Sequence, residues 1–506
     1  LFHKWIGVYS KKSNSISKRL QTPGFVPESG FMQDGSIFFF DEAGNCMQLD
    51  RNNLQLMKVP TSGFAGKSIN RENILWNYFH NQAFLKDGSK LYRISHKTNG
   101  NGIELIPITD QLPKSVIVTE VIYDEKSGSL FVATTTKGLF VFRKKSMKTF
   151  LIADSNNVHA NCFYAQFEID SNNVYGGWDY EFSKDGPKSS RHKLGLQLSL
   201  FYFCHKNNEN QVIYPLNSVL ISHDLNSYEK TIVDTSKQSY HAFYQEADSL
   251  WVASEFGLSY IKNQKSQFAA PLNLTGFSQR ITNINRVEKD NLWIGHGEGI
   301  TKYNSKTNSI SYIPEMKGKC VRVIEKIKNV FLIGTYGQGW YVYADGKFHQ
   351  MPIDIHHKLE KVHSFMLDDN GFLWMSTNTG MVNVSFEDVT SYIKDKSKTP
   401  YYYSYDTQDG IVNTEFNGGC TPTHIRLKNG YVSYPTMEGL VWFKPEYVLR
   451  DVPNEKFFID RVLIDGEEVV FADALTISNQ SDEVQIFFST PYWGLKENLQ
   501  VEYRIK

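Results

Sequence analysis

Residues 295–299 read GHGEG, and the stretch from Gly334 to Gly339 reads GTYGQG. Glycines spaced like this could cradle a phosphate, but a phosphate loop opens a helix whose free amides and dipole face the anion. Here the alternating run ITKY follows Gly299, so both stretches read as turns between strands. Asp354, His356, His357 and His363 form the one notable histidine cluster, and their spacing matches no metal motif. Asp368 and Asp369, in LDDNG, suit a turn that bonds backbone amides rather than a catalytic pair. No GxSxG nucleophile elbow is present. The five cysteines, Cys46, Cys162, Cys204, Cys320 and Cys420, lie far apart and form no CxxC. They read as buried free thiols, with no zinc ribbon and no disulfide framework. The sequence therefore leads us to expect no catalytic residue, no metal and no cofactor.

Lys plus Arg and Asp plus Glu are 54 each in 506 residues, so the net charge is zero. A broad nucleic-acid-binding surface would need excess positive charge, so no nucleic-acid partner is expected. Aromatic residues are dense, with 28 Tyr, 34 Phe and 9 Trp. No apolar run reaches the length of a membrane span. The opening LFHKWIGVYS lacks the order of a signal peptide, and VEYRIK stops within a strand-like pattern. The chain thus reads as a piece of a longer protein, with any membrane segment outside it.

The elements that would position a site are repeats. NLWIGHGEGITKYNSKTNSISYI, from Asn291, is a meander of three short strands with turns between them. Leu250, Leu292, Phe331 and Leu373 start the core run of successive copies, about 40 residues apart, and another alternating run precedes each. Four antiparallel strands per unit suit the blade of a β-propeller, where radial packing shields the sheet edges. A linear solenoid is the alternative, although its repeats are usually shorter. No stretch between the copies reads as a helix. The expected fold is all-β: a partial first propeller of about four blades over 1–152, a seven-bladed propeller over 153–449, and the start of a β-sandwich over 454–506.

The repeated LWIGHGEGITKYN, LWVASEFGLSYI and LWMSTNTGMVNV resemble the two-component regulator propeller repeat. YDTQDGIVNTEFNGG followed by NGYVSYPTMEGLVWFKPE resembles the terminal blade of that family. FFSTPYWGLKENLQVEYRIK resembles the first part of the three-tyrosine (Y_Y_Y) domain, with Tyr492 and Tyr503 at matching places. The copies at Val174 and Val212 depart from the pattern by lacking the LW pair. The resemblance implies the extracytoplasmic, periplasmic sensor half of a membrane-linked two-component protein of the Bacteroidetes type. Relatives of that kind often sense glycans and signal to a histidine kinase or other output domain. A homodimer through the Y_Y_Y region would follow from the same resemblance.

In a propeller, the entry of each first strand and the turn between the second and third strands lie on one face and converge on the axis. The turns carry Trp178, Tyr180, Glu255, His296, Glu298, Tyr336, Gln338, Trp340 and Asn378. The strand entries supply His241, Arg280, Asn283, Arg322 and His363. Aromatic rings beside hydrogen-bonding groups suit an oligosaccharide, whose CH face can rest on a ring. Two other functions stay open. A propeller-fold lyase would need an acid–base constellation at the channel mouth, and a constitutive protein-interaction platform would need none.

Overall fold

A computed structural model describes residues 5–502 except 22–24, 42–43, 51–52, 54, 65–68, 70–72, 98–101, 153–160, 193, 195–201, 236–238, 247–248, 255, 264, 273–280, 451, 454–455, 471–474, 476 and 479. The chain divides into two units, Leu1–Lys144 and Lys145–Lys506. The first holds the hairpin Trp5–Ser10 and Ser15–Gln21 and then sheets of four, five and three strands.

In the second unit, residues 167–189, 205–234, 240–270, 283–312, 321–350 and 362–405 each form a four-stranded antiparallel sheet in sequence order. We call these blades 1 to 6. Blade 7 takes three strands, Ile425–Arg426, Val432–Pro435 and Leu440–Phe443, and receives its outer strand, Lys148–Phe150, from the other end of the unit. This seam closes a seven-bladed ring. Gln166 strengthens it by donating Nε2 to the Ser433 carbonyl and accepting from the Ser433 hydroxyl. The ring therefore includes residues upstream of 153. Lys148–Phe150 lies almost 300 residues from the sheet it completes, so a repeat alignment has nothing to place it by.

The LW pairs act between blades. Trp251 of blade 3 meets Tyr303 of blade 4, with ring centroids 5.9 Å apart. Trp293 of blade 4 stacks on Phe348 of blade 5 at 5.4 Å, and Trp374 of blade 6 lies 4.9 Å from Phe443 of blade 7. Each indole thus fills the gap that one isolated sheet would leave wet. The next turn also recurs. Thr335 and Thr377 end second strands and Thr436 follows one, and each donates its hydroxyl to the carbonyl of the glycine at the return, Gly339, Gly380 or Gly439. This is the physical content of the repeated Thr and Gly in TYGQG, TNTG and TMEG.

One expectation fails. Phe386–Lys394 is an α-helix between the third and fourth strands of blade 6. Ser385 caps it by accepting from the Asp388 amide, Glu387 and Asp388 lie in its first turn, and Lys394 lies in its last. These are ordinary start and stop signals. Phe386 and Val389, three residues apart, bury one face against Leu373, Val382 and Val384. The strand repeat on either side masked a pattern only nine residues long.

After the propeller, Phe458–Ile464, Glu467–Val469 and Val484–Ser489 make a three-stranded sheet. The chain then returns to blade 6. The buried Asn498 accepts from the Ser404 amide at 2.6 Å and donates to the Ser404 carbonyl at 3.0 Å. Its own carbonyl accepts from the Tyr401 hydroxyl.

Candidate functional site

A shared irregularity turns side chains toward the propeller axis. In blade 5, Val321 pairs with Thr335 and Val323 with Gly334, which leaves Arg322 as an extra residue in the ladder. Blades 3 and 6 have the same bulge at His241 and His363. A bulged residue has no cross-strand partner, so its side chain leaves the alternation that faces neighbouring blades. In blade 4, Thr282 holds the equivalent place, with its amide on the Gly295 carbonyl. Counting back from the pairs Phe167–Tyr175 and His205–Ile213, Tyr164 and Tyr202 hold it in blades 1 and 2. All six residues line one cavity of about 900 Å³ at this end of the channel.

Blade 7 contributes a floor in place of a sixth-blade type of entry. Its connection from blade 6 crosses the channel. Phe416 bridges to Thr436, and Asn417 donates to the Phe163 carbonyl of the blade 1 entry. Gly418 passes His363 so closely that a Cβ there would lie 2.1 Å from the imidazole Nδ1. Gly419, at φ +68°, passes Arg322, where a Cβ would lie 2.7 Å from Nη1. Thr421 then donates its hydroxyl to the Thr282 carbonyl and its amide to the Tyr202 carbonyl. Only glycine fits two consecutive approaches of this kind. The segment from Phe416 to Thr421 thus touches the entries of blades 1, 2, 4, 5 and 6 and forms a floor to the cavity.

The walls alternate rings and polar groups. The Tyr164 and Tyr202 ring centroids lie 4.2 Å apart. Burial, with the Tyr202 hydrogen bond, raises the Tyr164 phenol above its ordinary value, so it stays a neutral hydrogen-bonding group. Across the cavity, the Arg322 guanidinium sits over the Tyr336 ring at 4.6 Å. His363 Nε2 lies 2.6 Å from Asn378 Oδ1, and Asn378 Nδ2 donates to Glu415 at 3.1 Å. A carboxylate only accepts, so Glu415 fixes the Asn378 amide, and Asn378 in turn makes His363 Nε2 the donor. Burial first, then the Arg322 and Lys361 charges, lower the His363 pKa to about 4. His363 is therefore neutral and positions Asn378.

The cavity gathers His241, Arg322, Tyr336, His363 and Asn378. It does not gather the other expected residues. His296 is fully buried, with Nε2 3.0 Å from Thr301 Oγ1 and Nδ1 accepting from the Glu298 amide. It braces its turn and presents nothing to a ligand. Trp340 is fully buried beside Phe365, at 5.7 Å, because it begins the third strand and points between blades. Trp178 and Tyr180 pack on the cluster of Phe150, Phe182 and Leu440. Glu298 and Gln338 are exposed, and Asn283 accepts from Asn285; none of the three lines the cavity. Glu255 and Arg280 lie outside the described residues. Sequence reading missed Tyr164, Tyr202 and Thr282 because each precedes the first paired residue of its blade, before the alternating pattern begins. It also missed Glu415 to Gly419, where the paired glycines after EFN were the available signal.

No protein-family profile matches the sequence. Among solved structures, the extracellular domain of a protein described as hybrid two-component system BT3049 of B. thetaiotaomicron superposes with a TM-score of 0.57. The match is 14% identical and covers 96% of this chain and 73% of that one. This chain has that domain's fold. An extracellular domain of BT4673 from the same organism matches 92% of this chain and 65% of its own, with a TM-score of 0.45 and 13% identity. In sequence, Histidine kinase P4 of Formosa agariphila is 24% identical over 189 residues. That stretch is 34% of this chain and 12% of the kinase, so this chain matches only a small part of its relative's length.

Proposed function

We propose that this chain is the extracytoplasmic ligand-binding region of a two-component sensor and that its cavity takes a glycan fragment. The observation that carries the reading is the cavity itself. Strand entries from six blades and a floor loop from the seventh enclose about 900 Å³ lined by tyrosines beside hydrogen-bonding groups. A pyranose offers apolar CH faces and a rim of hydroxyls, which is the complement of such a lining. The fold shared with an extracellular sensor domain and the sequence likeness to a histidine kinase support the same reading.

Blade 6 offers a route out of the cavity. Its first strand carries His363 and its second-strand turn carries Asn378, while its outermost strand, Tyr403–Tyr405, holds Asn498. A ligand that orders His363 and Asn378 would bias how firmly the C-terminal sheet is held. In this proposal, that sheet forms a homodimer contact, and a kinase or other output domain lies beyond it. Signalling of this kind requires different ligand affinities in the two states.

Calorimetric titration of the 506-residue chain with a panel of oligosaccharides tests the reading. Binding of at least one member, weakened about tenfold or more by Tyr202→Ala, is expected. Absence of binding across the panel, with capture of a protein partner at this face instead, would replace the glycan reading with the interaction platform.

A further inference from the structure

Two cations at the cavity form no ion pair among the described residues. Among the described residues the Arg322 guanidinium forms no ion pair and no hydrogen bond, its Nε is buried without a partner, and the guanidinium lies over the Tyr336 ring. The Lys361 ammonium lies 4.8 Å from the centroid of the same ring and likewise forms no ion pair among the described residues. Among the described residues of the lining Glu415 is the one carboxylate, and it accepts from Asn378 rather than from either cation. Arg322 is half-buried and lines the cavity, so its guanidinium is open to an anion that arrives with the ligand.

The floor adds donors. Gly418 and Gly419 line the cavity and their amides donate to no acceptor among the described residues, whereas the neighbouring Asn417 and Thr421 amides are bonded to the Pro435 and Tyr202 carbonyls. Gly419 brings this backbone against Arg322 Nη1. Successive amides without a protein acceptor are the groups from which an anion-binding concavity is built.

We propose that the cavity selects an acidic saccharide, with its carboxylate or sulfate held by Arg322 and the Gly418–Gly419 amides, and with Lys361 adding attraction at the rim. A sugar ring then rests on Tyr336 or on the Tyr164–Tyr202 pair. The inference rests on the glycan reading above and narrows it to one chemical class.

The test compares three size-matched probes on the full chain: oligogalacturonates for the carboxylate, sulfated galactan oligosaccharides for the sulfate, and neutral galacto-oligosaccharides. One acidic probe is expected to bind at least tenfold more tightly than the neutral one. Arg322→Gln should erase that preference, Lys361→Gln should reduce it severalfold, and added salt should weaken acidic binding only. Thermal melting of each variant, matched to the parent, shows that the fold is intact. If the neutral probe binds as tightly as both acidic ones, or if Arg322→Gln changes nothing, the acidic inference is overturned and the glycan reading stands. If no saccharide binds, both fall.

Discussion

Replacing Asn498 with alanine should release the C-terminal segment from blade 6. Ser404 lies on the outer edge of that blade, 3% exposed, and its amide and carbonyl find their partners in the Asn498 carboxamide at 2.6 and 3.0 Å. Truncation strands both groups. Each buried group left without a partner costs about 1–3 kcal/mol, and water entering the vacated volume offsets part of this, so about 2–4 kcal/mol is expected. At about 1.4 kcal/mol per factor of ten, the Ser404 amide should exchange with solvent about 30- to 700-fold faster. Hydrogen exchange read by mass spectrometry on a peptide spanning residues 401–406 measures this directly. Asn498→Asp sharpens the test. Its carboxylate keeps the acceptor for the amide but places a second negative oxygen against the Ser404 carbonyl. That variant should be at least as exposed as the alanine at neutral pH, and protection should return as acid protonates the carboxyl. An Asn498→Ala chain that remains folded and exchanges within about threefold of the parent would refute the claim that this side chain holds the segment.

Two further outcomes follow from the cavity and the blades. Gly418→Ala introduces no backbone strain but places a Cβ 2.1 Å from His363 Nδ1. It should cost about 1–3 kcal/mol as the floor or the imidazole shifts, read as a lower melting temperature together with weaker glycan binding. Burial lowers the His296 pKa from 6.5 to about 4. The unfolded chain therefore takes up that proton first as pH falls. This contribution is complete above about pH 6.5 and declines toward pH 4 by at most about 1.4 kcal/mol per unit. His296→Gln should flatten the melting-temperature profile in that window, and an unchanged slope would show that His296 does not titrate on unfolding.

The sequence by itself determined the propeller blades. The spacing of Leu250, Leu292, Phe331 and Leu373, the alternation around them, and the Thr and Gly of the turns at Thr335, Thr377 and Thr436 are local signals, because strand and turn preferences act over a few residues. It also pointed to the axial face through His241, Arg322, Tyr336, His363 and Asn378. Tertiary structure decided the rest. Which of the turn residues reach the cavity depends on strand register: one residue of slip or one bulge separates Arg322, which faces the axis, from Trp340, which is sealed between blades. His296 looked like a rim ligand because its exposure depends on packing that no local pattern records. The floor from Phe416 to Thr421 and the closing strand Lys148–Phe150 are made by partners far apart in sequence, and such contacts exist only once the ring is closed.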